Sequence, residues 1–167
     1  NAQPFPGGAL MRRKDRELTE PAEILRLLAR CDTVRLGLWD GTRPYVVPVS
    51  FGLAPDALQP LLYFHCAKQG YKLDCLLQSR SVCIEADIFY KVEPWRMGIT
   101  ARYESVVGFG TVVETSGEEK ECGLRTILAH YGFASHPLTL CRGLSHANVY
   151  KVILHQLTGK RNLPKEC

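Results

Sequence analysis

The chain has no apolar run of the length a membrane span needs, and no charged start followed by an apolar stretch, so neither a span nor a secretory leader is expected. It has no Walker phosphate loop, and Gly108-Phe109-Gly110 falls inside a Val/Thr-rich strand pattern, which excludes a dinucleotide fingerprint there. Charge of one sign is scarce as well. The formal net charge is +4, and the only basic cluster, Met11-Arg12-Arg13-Lys14-Asp15-Arg16, reads as a solvated lead-in, which argues against nucleic acid as a partner. Among the seven cysteines (Cys31, Cys66, Cys75, Cys83, Cys122, Cys141 and Cys167) there is no Cys-x-x-Cys pair, and His130, His136, His146 and His155 do not complete a zinc spacing; no metal is expected. An odd number of irregularly spaced cysteines points to free thiols in a reducing compartment, hence to a cytoplasmic protein.

What is present is ordinary globular material: 167 residues, 46% hydrophobic and 23% charged, enough for one domain with its own core. Residues 1–10, rich in Pro and Gly, form a flexible lead; 11–161 form the domain; 162–167 form a tail. Thr19 as N-cap, Pro21 in the first turn and an apolar stripe through Ile24, Leu25, Leu27 and Leu28 predict a helix to about Arg30. Val34, Leu36 and Leu38 alternate with Arg35, Gly37 and Trp39, and Asp40-Gly41 leads into Pro44 to Phe51, which predicts a hairpin. Pro44 and Pro48 cannot donate to a ladder, so the second strand needs an edge, a bulge or a ligand beside it.

Leu61 to Leu77 is the most informative stretch. Period-2 alternation puts Leu61, Tyr63 and His65 on one face and Leu62, Phe64 and Cys66 on the other, after which Leu73, Leu76 and Leu77 recur at helical spacing. Gly70, Tyr71 and Lys72 therefore fall at a helix N-terminus, where free N–H groups and the helix dipole favour an anion and Lys72 adds a charge. Further strands are expected at Ser81 to Phe89, Arg102 to Glu114 and Asn148 to Leu157, with a loop around Val92 to Thr100 and a helix over Glu118 to Tyr131. About six strands adjacent in sequence, with three helices, predict a mainly β fold: an antiparallel barrel with peripheral helices, bent where Gly108 and Gly110 interrupt the long strand.

Six segments in order carry a resemblance. They are Met11 to Leu18, Pro44 to Val49, Tyr63 to Ala67, Gly70 to Asp74, Tyr103 to Gly110 and Leu157 to Arg161. Together they resemble the FMN-binding split-barrel family related to pyridoxamine 5′-phosphate oxidase, and within it the Nim nitroimidazole-resistance branch. The resemblance implies a six-stranded antiparallel split barrel and a homodimer with FMN at the subunit interface. It implies that Pro48, Val49 and Ser50 run beside the flavin ring, that His65, Cys66 and Ala67 flank the ring and ribityl chain, that Gly70 and Lys72 take the phosphate, and that Ser105 and Val106 contribute from the long strand. Many relatives carry Arg or His where Tyr71 stands, so one phosphate cation is missing here.

The activity implied is that of an FMN-dependent oxidoreductase on a small organic substrate, a nitroaromatic in the Nim reading, with His65 as catalytic proton donor because histidine titrates near neutrality. A pyridoxamine-phosphate-type amine oxidase and a non-catalytic flavin- or haem-binding protein are the alternatives. For Cys66, with no second cysteine nearby, packing is expected over redox chemistry.

Overall fold

The computed structural model describes residues 11–54, 59–141, 143 and 146–164. The expected flexible lead at 1–10, part of the loop before Pro60 and the last three residues of the tail lie outside the described residues. After a single 3-10 turn at Lys14–Arg16 come β1 (Glu17–Leu18), α1 (Pro21–Leu28), β2 (Val34–Trp39), β3 (Pro44–Val49), β4 (Phe51–Ala54) and β5 (Leu61–Ala67). There follow α2 (Tyr71–Gln78), β6 (Ser81–Trp95), β7 (Gly98–Glu114), α3 (Gly117–His130), a 3-10 turn at Leu138–Leu140 and β8 (Ala147–Asn162).

Every pairing is antiparallel, in the order β3-β2-β6-β7-β8-β5-β4, with β1 added alongside β8. The two ends of this sheet, β3 and β4, are one stretch of chain broken at Ser50. The sheet thus curls until one bent segment serves both of its edges without a ladder between them, which makes a split barrel. Counting that segment once and setting aside the two-residue β1 leaves the six strands expected.

Alternation places Leu36, Leu38, Phe51, Leu62, Phe64, Ile84, Val106 and Val152 in one core, which α1 joins through Leu27 and Leu28 and α2 through Cys75 and Leu76. On the opposite face of β5 and β8, Leu124 and Ile127 of α3 cover Tyr63 and Val149. This second contact needs glycine: a Cβ at Gly52 of β4 would stand 2.4 Å from the Thr126 carbonyl oxygen of α3. The bend expected at Gly108 and Gly110 is a slip in the β7–β8 register, where Phe109 pairs with Gln156 and Gly110 with Leu154, so that His155 is left over.

Three expectations are corrected. The residue capping α1 is Glu20, not Thr19, and it makes no side-chain capping bond. The stretch read as a loop around Val92 to Thr100 is the end of a long hairpin, paired as far as Trp95 with Gly98. Beyond the barrel this ribbon is two-stranded, so alternate N–H groups face solvent and a proline such as Pro94 is tolerated there. The last strand runs to Asn162 instead of Leu157, because β7 keeps pairing with it as far as Tyr103. Pro44 and Pro48 lie on β3, which pairs on one side only, so the need for an edge is met. Among the described residues no helix is long and apolar enough to cross a membrane, no group of His, Cys, Asp and Glu could hold a metal ion, and six cysteines are free thiols.

Candidate functional site

β5 delivers His65 near its C-terminal end, on the face shared with Tyr63 and not on the core face with Phe64 and Cys66. The ring is half-buried, and its Nδ1 is buried with no hydrogen-bond partner among the described residues, an unusual state for a polar atom removed from water. Burial, and then the nearby charge of Lys72, push the His65 imidazole below its ordinary value. The shift favours the neutral ring, with one N–H donor and one lone pair, over the protonated one. Lys72, half-buried on the first turn of α2, makes no ion pair among the described residues. Gly70 caps this helix at φ +141°, a backbone conformation that side chains resist, and nothing lies within 4 Å of where its Cβ would be.

This geometry makes His65 report on Lys72. An NMR titration of the ring should place its pKa below 6.5, and Lys72→Met should raise it while leaving it below 6.5, because burial remains when the charge is gone. No movement on that substitution would mean that the two groups do not interact.

Tyr71, met in the sequence as a lost cation, has a role of its own. Its hydroxyl donates to Asp40 Oδ2, in the turn joining β2 to β3, and its ring meets Tyr45 edge-on at 4.9 Å. Asp40 Oδ1 accepts from the Thr42 N–H at 2.7 Å and the Arg43 N–H at 2.8 Å, while Arg43 Nε reaches Oδ2 at 3.2 Å. The hydrogen bond from Tyr71, followed by those from Arg43 and Thr42, holds the Asp40 carboxyl well below the usual carboxylate range. The start of α2 is thus pinned to the β2–β3 turn, and Arg43 is brought to the same point. Spacing could not reveal this, since Tyr71 and its partners are far apart in the chain.

The other expected site residues divide. Continuing the β4–β5 register from Phe51 with Phe64 sets Ser50 opposite His65. Pro48 and Ser50 are exposed, while Val49 points into the core. Cys66 is buried in the core, and burial pushes its thiol up, which fits packing and not nucleophilic chemistry. Ala67 is exposed at the strand end. These residues, with Gly70 and Lys72, gather where β3 bends into β4. Ser105 and Val106 do not join them. Ser105 pairs with Lys160 whereas His65 pairs with Val149, which separates them by about 35 Å measured along β8 at roughly 3.3 Å per residue. Val106 is moreover buried in the core.

Residues 20–161 match the family model described as pyridoxamine 5′-phosphate oxidase. The chain belongs to this family. No curated protein matches it in sequence. A candidate 5-nitroimidazole antibiotic resistance protein from Bacteroides thetaiotaomicron is 28% identical, with a TM-score of 0.74 over 86% of this chain and 85% of that one. A flavocytochrome of Azotobacter vinelandii has a TM-score of 0.73 at 14% identity, over 92% of this chain and 72% of its own. An FAD- and haem-binding protein of Mycobacterium smegmatis reaches 0.74 at 16% identity, over 91% and 77%. At those two identities the likeness concerns the family fold alone, which is the split barrel described above.

Proposed function

We propose that this family member is an FMN-dependent oxidoreductase acting on a small organic substrate, a nitroaromatic such as a nitroimidazole. The observation that carries the reading is the pairing of a buried His65 Nδ1 with a half-buried Lys72, neither of which has a polar or ionic partner among the described residues, on either side of an open glycine cap. Polar groups held away from water without partners are costly unless a ligand completes them. The 28% identical protein from Bacteroides thetaiotaomicron supports the nitroimidazole class.

Bound flavin supplies the two-electron chemistry. Lys72 and the N–H groups at the start of α2 hold the phosphate, and the cap at Gly70 lets it approach the backbone. Ser50 and His65 line the ring, with Pro48 and Val49 leading to it and Ala67 closing the strand end. His65 would orient the substrate and, in its protonated form, pass a proton to an oxygen of the nitro group as that group takes up electrons, the ring then regaining its proton from solvent. Because the free ring titrates below 6.5, a rate that depends on its protonated form falls as pH rises through that range, and His65→Gln removes this limb of the profile.

A homodimer belongs to the same reading. A flavin at Lys72 is far along the sheet from Ser105 of its own chain, so a second copy is what brings a Ser105–Val106 segment to it. The β6–β7 hairpin leaves Phe89, Val92, Met97 and Ile99 exposed, an apolar surface of the kind a partner covers. The test is the visible spectrum and light-scattering mass of the purified protein titrated with FMN. Flavin bands that bleach under reductant and recover on adding metronidazole, from a dimer, are expected. Protein that refuses FMN would overturn the reading, and bands that bleach without recovering would leave a flavin carrier in place of an enzyme.

A further inference from the structure

The end of α3 reaches the corner where β3 breaks into β4. β4 ends the sheet, and an end strand leaves alternate N–H groups without a ladder partner. That of Phe51, the first residue of β4, goes to the Tyr131 hydroxyl at 3.1 Å, and the same hydroxyl donates to the Asp32 carbonyl at 2.7 Å. A carbonyl only accepts, so the single phenol proton is committed to Asp32 and a lone pair to Phe51. Beside it, His130 Nε2 bonds to the Cys31 carbonyl at 2.8 Å, which puts a proton on that nitrogen, and the His130 ring centre lies 4.3 Å from that of Phe51.

Phe51 is thereby held from several sides. Its ladder partner is Phe64 of β5, its side chain is fully buried, and the next residue, Gly52, sits so close to α3 that a Cβ has no room. The residue before it, Ser50, is exposed and falls opposite His65 when the register is continued. The peptide joining Ser50 to Phe51 is trans and planar, so fixing its N–H on Tyr131 fixes the Ser50 carbonyl in the opposite direction. The aim of this corner peptide is therefore set by a side chain 80 residues further along the chain. Groups that meet a cofactor need placing to within about 0.5 Å, and a supporting hydrogen bond from behind is how such placement is held.

We propose that Tyr131, backed by His130, is the positioning residue of the flavin-ring corner, its hydroxyl holding the Ser50–Phe51 peptide in the direction the ring meets. This rests on the flavin reading above and gives α3 a part in that site.

The test is fluorescence titration of the full chain with FMN and with riboflavin, which has the ring but lacks the phosphate, together with the visible spectrum of each complex. Tyr131→Phe, which removes the hydroxyl alone, should weaken both ligands by the same factor, about 3- to 10-fold, and move the flavin band. Lys72→Met should weaken FMN only. Ile127→Val, which loosens the same helix on the sheet without touching either hydrogen bond, should leave affinities and band at wild-type values. If Tyr131→Phe does not fold, His130→Gln decides: it loses the ring against Phe51, keeps a side-chain donor for the Cys31 carbonyl, and should weaken riboflavin in the same way. Wild-type affinities and band in the deciding variant, a loss confined to FMN, or an equal loss in Ile127→Val would overturn the proposal and leave the flavin reading standing. A wild-type chain that takes up neither FMN nor riboflavin would overturn both.

Discussion

Arg161→Ala lowers the stability of the fold by about 3 kcal/mol, the lower end of what breaking a buried ion pair costs. Glu104 on β7 is 0% exposed, and its carboxylate accepts from Arg161 Nε at 2.5 Å and from the Tyr90 hydroxyl at 2.6 Å, with Arg30 Nη1 at 3.1 Å. Arg161 also binds Glu23 of α1, so it fastens helix and sheet around one buried charge. Without it Glu104 keeps only Tyr90 and the half-exposed Arg30, which is why the cost is not larger. For a chain of this length the melting temperature should fall by roughly 6–12 °C. Adding Glu104→Gln to Arg161→Ala should recover part of the loss, because no charge is then left buried. A melting point within about 1 °C of wild type would mean that the network is ornamental.

The same carboxylate sets an acid limit. Burial pushes Glu104 up, but the hydrogen bonds from Tyr90 and Arg161 and the charges of Arg161 and Arg30 outweigh it, and the group ends below its ordinary value. The unfolded chain then binds the proton more readily, so the stabilisation is complete above about pH 4.3 and drains away as pH falls below that value. In Arg161→Ala the folded value rises towards the unfolded one, and the acid-dependent part of the stability shrinks.

On the reading proposed above, Lys72→Met should weaken FMN binding about 10- to 100-fold, the worth of one hydrogen bond to a charged group in a half-buried place. Lys68→Met, which removes an exposed charge from the preceding loop, should change affinity far less. Flavin fluorescence titration separates the two. Equal affinities for wild type and Lys72→Met would remove the phosphate role from the start of α2 and leave His65 without its proposed neighbour.

The barrel was legible because its strands are half-buried: in β2 and β5 alternate residues face a dry core, and that alternation is written in the residues. The local setting of Gly70 and Lys72 was legible too, because both belong to one turn at the start of α2. What escaped was long-range. The hairpin tip around Trp95 faces water on its edges, so its residues obey no burial pattern and Pro94 reads as a breaker. Tyr71 looked like an absence because its partner, Asp40, sits on another hairpin. Ser105 lies far along the sheet from His65 in the same chain, a placement that sequence order could not give because it does not tell which end of β8 a residue pairs with.

Among the described residues, β8 is the last strand in chain order and the one that joins β7 to β5. During synthesis, β3-β2-β6-β7 and the β4–β5 hairpin emerge as two rafts whose facing edges have no mate until β8 follows. Closure therefore waits on β8, whose contacts with β5 are distant in sequence, and such contacts fold slowly. A chain stopped short of Ala147 would carry the candidate site from Pro48 to Lys72, with the outer edge of its central strand open to any other extended chain in the cell.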